Sequence, residues 1–100
     1  MILQEINQNL QISDKPVTKV LIKNDKTRLL AIGLKKGVEM ANHKAPSFAR
    51  IYVIKGRIKY ISDTNNVELS YLDEHEIPLE EVHRVVGLEN SIFLLTIRYE

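Results

Sequence analysis

The stretch Arg50-Ile51-Tyr52-Val53-Ile54-Lys55-Gly56-Arg57-Ile58-Lys59-Tyr60-Ile61-Ser62, continued by Asp63-Thr64-Asn65-Asn66 and Val67-Glu68-Leu69-Ser70-Tyr71, decides the fold class. Arg50–Ile54 is an apolar run closed by Lys55-Gly56. Ile58 and Tyr60 then alternate with Arg57 and Lys59, the period-two pattern of a half-buried strand. Asp63-Thr64-Asn65-Asn66 is a turn signal, because short polar side chains bond their own backbone and tolerate left-handed dihedrals. Beyond it, Val67, Leu69 and Tyr71 alternate with Glu68 and Ser70, which predicts a hairpin partner for residues 57–61.

Working outward, Val17–Lys23 and Arg28–Leu34 are further apolar or β-branched runs, split by the turn-like trio Asn24-Asp25-Lys26. Glu74–Pro78, His83–Leu88 and Ser91–Arg98 supply three more strands. In the last, Ile92 and Leu94 on one face and Phe93, Leu95 and Ile97 on the other predict a strand covered on both sides. No ten-residue segment after residue 17 holds a helical period, so the expectation is all-β, a sandwich or barrel. Residues 1–16 are ambiguous. Ile2, Ile6 and Leu10 recur every four residues, as on one face of a short helix. The intervening Asn and Gln also suit an edge strand at a dimer interface, and because every later segment is β the strand is the reading taken.

The chain has 100 residues, enough for a single domain and one core. Fourteen Lys and Arg against 13 Asp and Glu leave a net charge of +1, which argues against a dedicated nucleic-acid binder. With no cysteine there is no disulfide framework, thiolate metal site or cysteine nucleophile. No apolar run approaches the roughly 20 residues that span a bilayer. The opening Met1-Ile2-Leu3-Gln4-Glu5-Ile6 lacks the basic start and apolar core of a signal peptide, so the expected location is cytoplasmic, away from membranes. No G-x-S-x-G, phosphate-loop or H-E-x-x-H pattern is present.

Three histidines carry most of the available chemistry. His43 follows Gly37 by six residues, and His83 opens a strand five residues after Pro78. On a closed sheet two such residues meet if both point inward, and neutral imidazole is the commonest protein metal ligand. His75, flanked by Asp73, Glu74, Glu76, Glu80 and Glu81, reads as part of a solvated strand edge. Tyr52, Tyr60, Tyr71, Phe48 and Phe93 read mainly as core; Phe48 is the exception expected to narrow an interior hollow.

These residues resemble the cupin family. Gly37-(five residues)-His43 … Ala49-(six residues)-Gly56 is similar to its first motif, G-x5-H-x-H-x3,4-E-x6-G. Leu72 through Pro78 to His83 and Gly87 is similar to the second, G-x5-P-x-G-x2-H-x3-N, and the likeness covers about residues 27–99. It implies a single jelly-roll β-barrel over residues 17–100 with one open mouth, and a homodimer. In the family, two His and one Glu of the first motif and one His of the second hold a divalent metal. Carried over, His43 and His83 keep ligand positions, while Ala45 stands at the second His and Ala49 at the Glu. The second motif's glycines fall on Leu72 and Glu80, and its final Asn on Gly87.

Two imidazoles alone hold a metal weakly, since zinc sites use three or four protein ligands. The expectation is therefore a non-catalytic binding or sensing barrel, with no cofactor and a small-molecule ligand lined by His43, Ala45, Phe48, Ala49 and His83. One alternative is a metal-dependent dioxygenase or isomerase that holds a divalent metal through His43, His83 and an unusual third group. The other is a ligand-free structural dimer.

Overall fold

The structure, a computed structural model, describes residues 2–9, 13–43 and 47–99, and of residues 41–43 the backbone alone. One helix, α1 (Ile2–Asn9), precedes nine strands: β1 (Val17–Lys23), β2 (Thr27–Leu34), β3 (Glu39–His43), β4 (Phe48–Lys55), β5 (Arg57–Ser62), β6 (Asn66–Ser70), β7 (Glu74–Ile77), β8 (His83–Gly87) and β9 (Ser91–Arg98). They form two antiparallel sheets, one ordered β1-β2-β9-β4-β7 and the other β3-β8-β5-β6. This is the all-β jelly roll that the alternation and the resemblance predict. No helix among the described residues is long and apolar enough to cross a membrane.

The core lies between the sheets because each strand presents alternate residues inward. From the first sheet come Ile32, Leu34, Ala49, Ile51, Val53, Ile77 and Phe93; from the second, Ile58, Tyr60, Leu69 and Val85. Both predicted turns form. The Asn24 side-chain oxygen accepts the Lys26 and Thr27 amides at 3.0 and 2.9 Å. Ser62 and Asn65 bond across the β5–β6 turn at 2.8 Å. Tyr71 lies just past β6 and is exposed, so the alternation ends one residue earlier than expected.

The N-terminal expectation of a strand is corrected: residues 2–9 are helical. The four-residue spacing of Ile2 and Ile6 outweighs the β context because an apolar surface is available to receive it. Ile6 is fully buried against Ala31 and Ile92, with Val17, Leu21, Ile54 and Leu94 packed around them. That second, smaller core explains why β9 is apolar on both faces: Phe93, Leu95 and Ile97 face the barrel interior, while Ile92 and Leu94 face the helix side. Ile54 follows the inward-facing Val53 on β4, so alternation turns it outward to the same satellite core, where the register with β9 shifts. Leu10 lies outside the described residues.

The backbone keeps the glycine-like conformation of the resembled second motif where the side chains have departed from it. Among the described residues, Leu72 and Glu80 are the non-glycine residues at positive φ, 71° and 62°. A left-handed L-residue costs roughly 1–2 kcal/mol, partly offset in glycine by its larger unfolded-state entropy. Both side chains are exposed, so little packing is lost on removing them. Leu72→Gly and Glu80→Gly are therefore each expected to stabilise the fold by about 0.5–1 kcal/mol in denaturant titrations. Leu72→Ala and Glu80→Ala should show no such gain; a gain with alanine would mean that backbone conformation is not the cause.

Candidate functional site: an imidazole–tyrosine cluster inside the barrel

The β7 strand alternates strictly, so Glu74 and Glu76 face out while His75 and Ile77 face in. On β8, His83 and Val85 face in, and His83 is only 8% exposed. The β5–β8 register pairs Tyr60 with Val85 and Ser62 with His83, which makes Tyr60 and His83 diagonal neighbours on one face. Their rings stack, with centroids 5.1 Å apart and planes inclined by 21°. From the opposite sheet, the His75 ring approaches Tyr60 to 4.4 Å at a 51° tilt. Fully buried Tyr60 thus contacts both imidazoles.

Glu81, in the β7–β8 connection, braces this cluster. One carboxylate oxygen accepts the Tyr60 hydroxyl at 2.7 Å, and the other accepts the Thr64 hydroxyl at 2.8 Å. These two hydrogen bonds, the Tyr60 one first, hold the Glu81 carboxyl below its ordinary range. Burial, then the same hydrogen bond, pushes the Tyr60 hydroxyl far up. With each oxygen already accepting a hydroxyl, Glu81 is suited to fixing the loop rather than to abstracting a proton. Its main-chain carbonyl lies 3.1 Å from His83 Nδ1. A carbonyl only accepts, so Nδ1 carries a proton and donates it to Glu81.

His75 differs. Its Nε2 is buried and has no hydrogen-bond partner among the described residues. Burial is the main reason its pKa lies below the ordinary histidine value; the His83 ring adds to this and the Glu81 charge opposes it. Burial thus disfavours the charged form of His75 inside the barrel, where one ring nitrogen is unsatisfied among the described residues.

The expected site residues separate as follows. The β3–β8 ladder sets His43 directly across from His83 in register, although the side chain of His43 lies outside the described residues, as does Ala45. Ala49 faces the interior at 6% exposure. Phe48 does not: it lies on the outer face of β4 at 39% exposure, so the expectation that it narrows the hollow is corrected. Adjacent strand residues face opposite ways, and Ala49 occupies the inward position. Tyr52 and Tyr71 are likewise exposed, leaving Tyr60 and Phe93 as the aromatics of the core. The reading of His75 as a solvated edge residue is also corrected. Strand parity carries the signal that was missed, since Glu74 and Glu76 facing out require His75 to face in.

At the positions that the resemblance aligns with two of the family's four metal ligands, this sequence has Ala45 and Ala49, which carry no side-chain donor atom. Among the described residues, no group of three or more His, Asp or Glu side chains is placed to hold a metal ion.

No family sequence model matches the chain, and no curated protein matches it by sequence. Solved structures do match in fold. A cupin superfamily protein of Desulfitobacterium hafniense is similar over 85% of this chain and 78% of its own, with a TM-score of 0.80 at 13% identity. An RmlC-like cupin of Shewanella frigidimarina is similar over 89% and 80%, with a TM-score of 0.79 at 21% identity. A cupin 2 conserved barrel domain protein of Leptotrichia buccalis is similar over 83% of this chain but 40% of its own, with a TM-score of 0.77 at 26% identity. The strand order and these structural likenesses agree: the chain has the cupin-type jelly-roll fold.

Proposed function

We propose that the barrel is a non-catalytic binding or sensing domain for a small organic molecule. The observation that carries this reading is the Nε2 of His75 beside the Tyr60 ring, buried and with no hydrogen-bond partner among the described residues. Buried polar atoms in folded proteins almost always find a partner, and a ligand hydroxyl or carboxyl group would supply one here. Two further features support the reading. Ala45 and Ala49 exchange metal-ligating groups for methyls, which adds volume and apolar surface. Glu81 is committed to Tyr60 and Thr64, which leaves little for acid–base catalysis. In this reading His75 and His83 hold the polar end of the ligand, and Ala49 with the neighbouring aliphatic side chains holds its body.

The test is a thermal-shift screen of sugars and carboxylic acids. A ligand that binds only the folded state adds roughly 2.7 kcal/mol at a hundredfold excess over Kd, about 10 °C or more for a domain this small. The shift should vanish in His75→Ala and weaken in His83→Ala. Binding indifferent to both substitutions would remove the assignment. Stoichiometric metal that is lost in His43→Ala and His83→Ala would replace it with a metal-dependent enzyme.

A further inference from the structure

Arg28 points a positive charge into a largely apolar wall. It is the second residue of β2, just past the turn that joins β1 to β2, and it shares a face with Leu30 and Ile32, so parity directs it into the barrel. Register carries one inward row across the first sheet, from Lys23 through Arg28, Ile97 and Ala49 to Ile77. The next row begins at Leu30 and ends at His75. Arg28 and His75 therefore belong to one wall, on strands three spacings of about 4.8 Å apart.

The surroundings of Arg28 suit an anion. Its Nε is buried and has no hydrogen-bond partner among the described residues, and a buried donor left unpaired is costly. The Tyr99 ring lies 5.9 Å from the guanidinium carbon, which supports the charge through its π face but accepts none of its N–H groups in the plane. Lys23 stands directly opposite across β1 and β2, and like charges so paired destabilise a sheet. No described carboxylate forms an ion pair with either cation, Asp25 in the intervening turn included.

We infer that Arg28 holds the carboxylate of the barrel's ligand, which is therefore an organic acid whose body lies over Ile97 and Ala49 toward His75. The inference rests on the reading of the barrel as a binding domain and names the class of molecule bound. One edge of a guanidinium, Nε with one terminal nitrogen, matches the two oxygens of a carboxylate and bonds both at once. Tyr99 shields the ion pair from water on one side, where it is worth more than in solvent. A neutral sugar or alcohol would leave both cations unanswered. Inorganic phosphate has no body to cover the apolar part of the row.

Isothermal titration calorimetry with 6-hydroxyhexanoate and 6-hydroxyhexanamide tests it, because the two differ only in the head group. The acid should bind the wild-type chain at least tenfold more tightly than the amide. It should also shift the Arg28 Nε–H resonance of nitrogen-15-labelled protein, and neither readout needs a variant to fold. Arg28→Gln should abolish the preference for the acid. Arg28→Lys should restore only part of it, since an ammonium keeps the charge without the fork. Lys23→Glu sets a carboxylate opposite Arg28, so it should raise the ligand-free melting temperature and weaken the acid at least tenfold. An Arg28 that serves only to hold Tyr99 would leave the acid-to-amide ratio unmoved in all three variants, and that result overturns the inference. So does phosphate that binds as tightly as the acid. Equal binding of acid and amide, lost in His75→Ala, overturns it while the binding-domain reading stands. Failure of both compounds to bind also overturns it, and failure of every sugar and carboxylic acid in the wider screen removes the reading beneath it as well.

Discussion

Gly56→Ala is expected to destabilise the barrel by about 2–5 kcal/mol, a large fraction of the margin of a domain this size. Gly56 sits at φ 76°, where an L side chain carries roughly 1–2 kcal/mol of strain. Its surroundings add more. An added Cβ would lie 2.5 Å from Ser91 Oγ and 2.9 Å from Ser91 Cα, and against the main-chain oxygen of Asn90. Ser91 cannot give way cheaply, because it is fully buried and its hydroxyl accepts the Arg57 amide at 2.9 Å. The same hydroxyl has the carbonyls of Arg57 and Glu89 within 2.9 and 2.8 Å as acceptors for its own proton. This knot ties the β4–β5 crossover to the start of β9, and so joins the two sheets. Gly37→Ala is the control: its φ is 86°, yet nothing lies within 4 Å of an added Cβ. It should lose only the conformational part, about 1 kcal/mol. Denaturant midpoints measure both, and equal losses would refute the packing argument.

The difference between those glycines illustrates what the sequence can and cannot express. Strand positions were legible because the period-two alternation is a direct image of burial. Val17–Lys23 and Ser91–Arg98 coincide with β1 and β9 to the residue. Turns were legible through Asn24 and the Asp63–Asn66 tetrad, whose side chains do their bonding locally. The helix at residues 2–9 was written in the spacing of Ile2 and Ile6, but accepting it depended on a surface made by Ala31 and Ile92, which no local pattern shows. Phe48 and Ala49 could have been separated by parity alone, since neighbours on one strand cannot share a face. His75 was obscured by the carboxylates around it. Their outward direction is the reason that its own is inward, and composition without parity hid that. The Tyr60–Glu81–Thr64 brace joins residues 17 or more apart, and nothing in the spacing selects Glu81 among its acidic neighbours.

That brace makes Tyr60 the residue whose loss should most affect both the fold and the candidate site. Tyr60→Ala is expected to cost about 3–5 kcal/mol, the range for deleting a fully buried aromatic side chain. It should also abolish ligand-induced thermal shifts, because the ring that contacts both His75 and His83 is gone. Tyr60→Phe separates the two roles. It keeps the ring and most of the core packing but withdraws the hydroxyl from Glu81. A carboxyl whose folded pKa is depressed contributes stability above its unfolded value, near 4.5, and loses it as pH falls through the folded value. Part of the Glu81 depression comes from the Tyr60 hydroxyl, so Tyr60→Phe should be less stable than wild type at neutral pH. The gap should narrow as the solution is acidified below about pH 4.5, where both proteins come to carry a protonated Glu81. His75 titrates in both proteins and largely cancels from the difference. Melting temperatures of the pair across pH 3–7 measure the effect. A gap independent of pH would mean that the hydroxyl matters for packing alone and that Glu81 does not brace the loop through its charge.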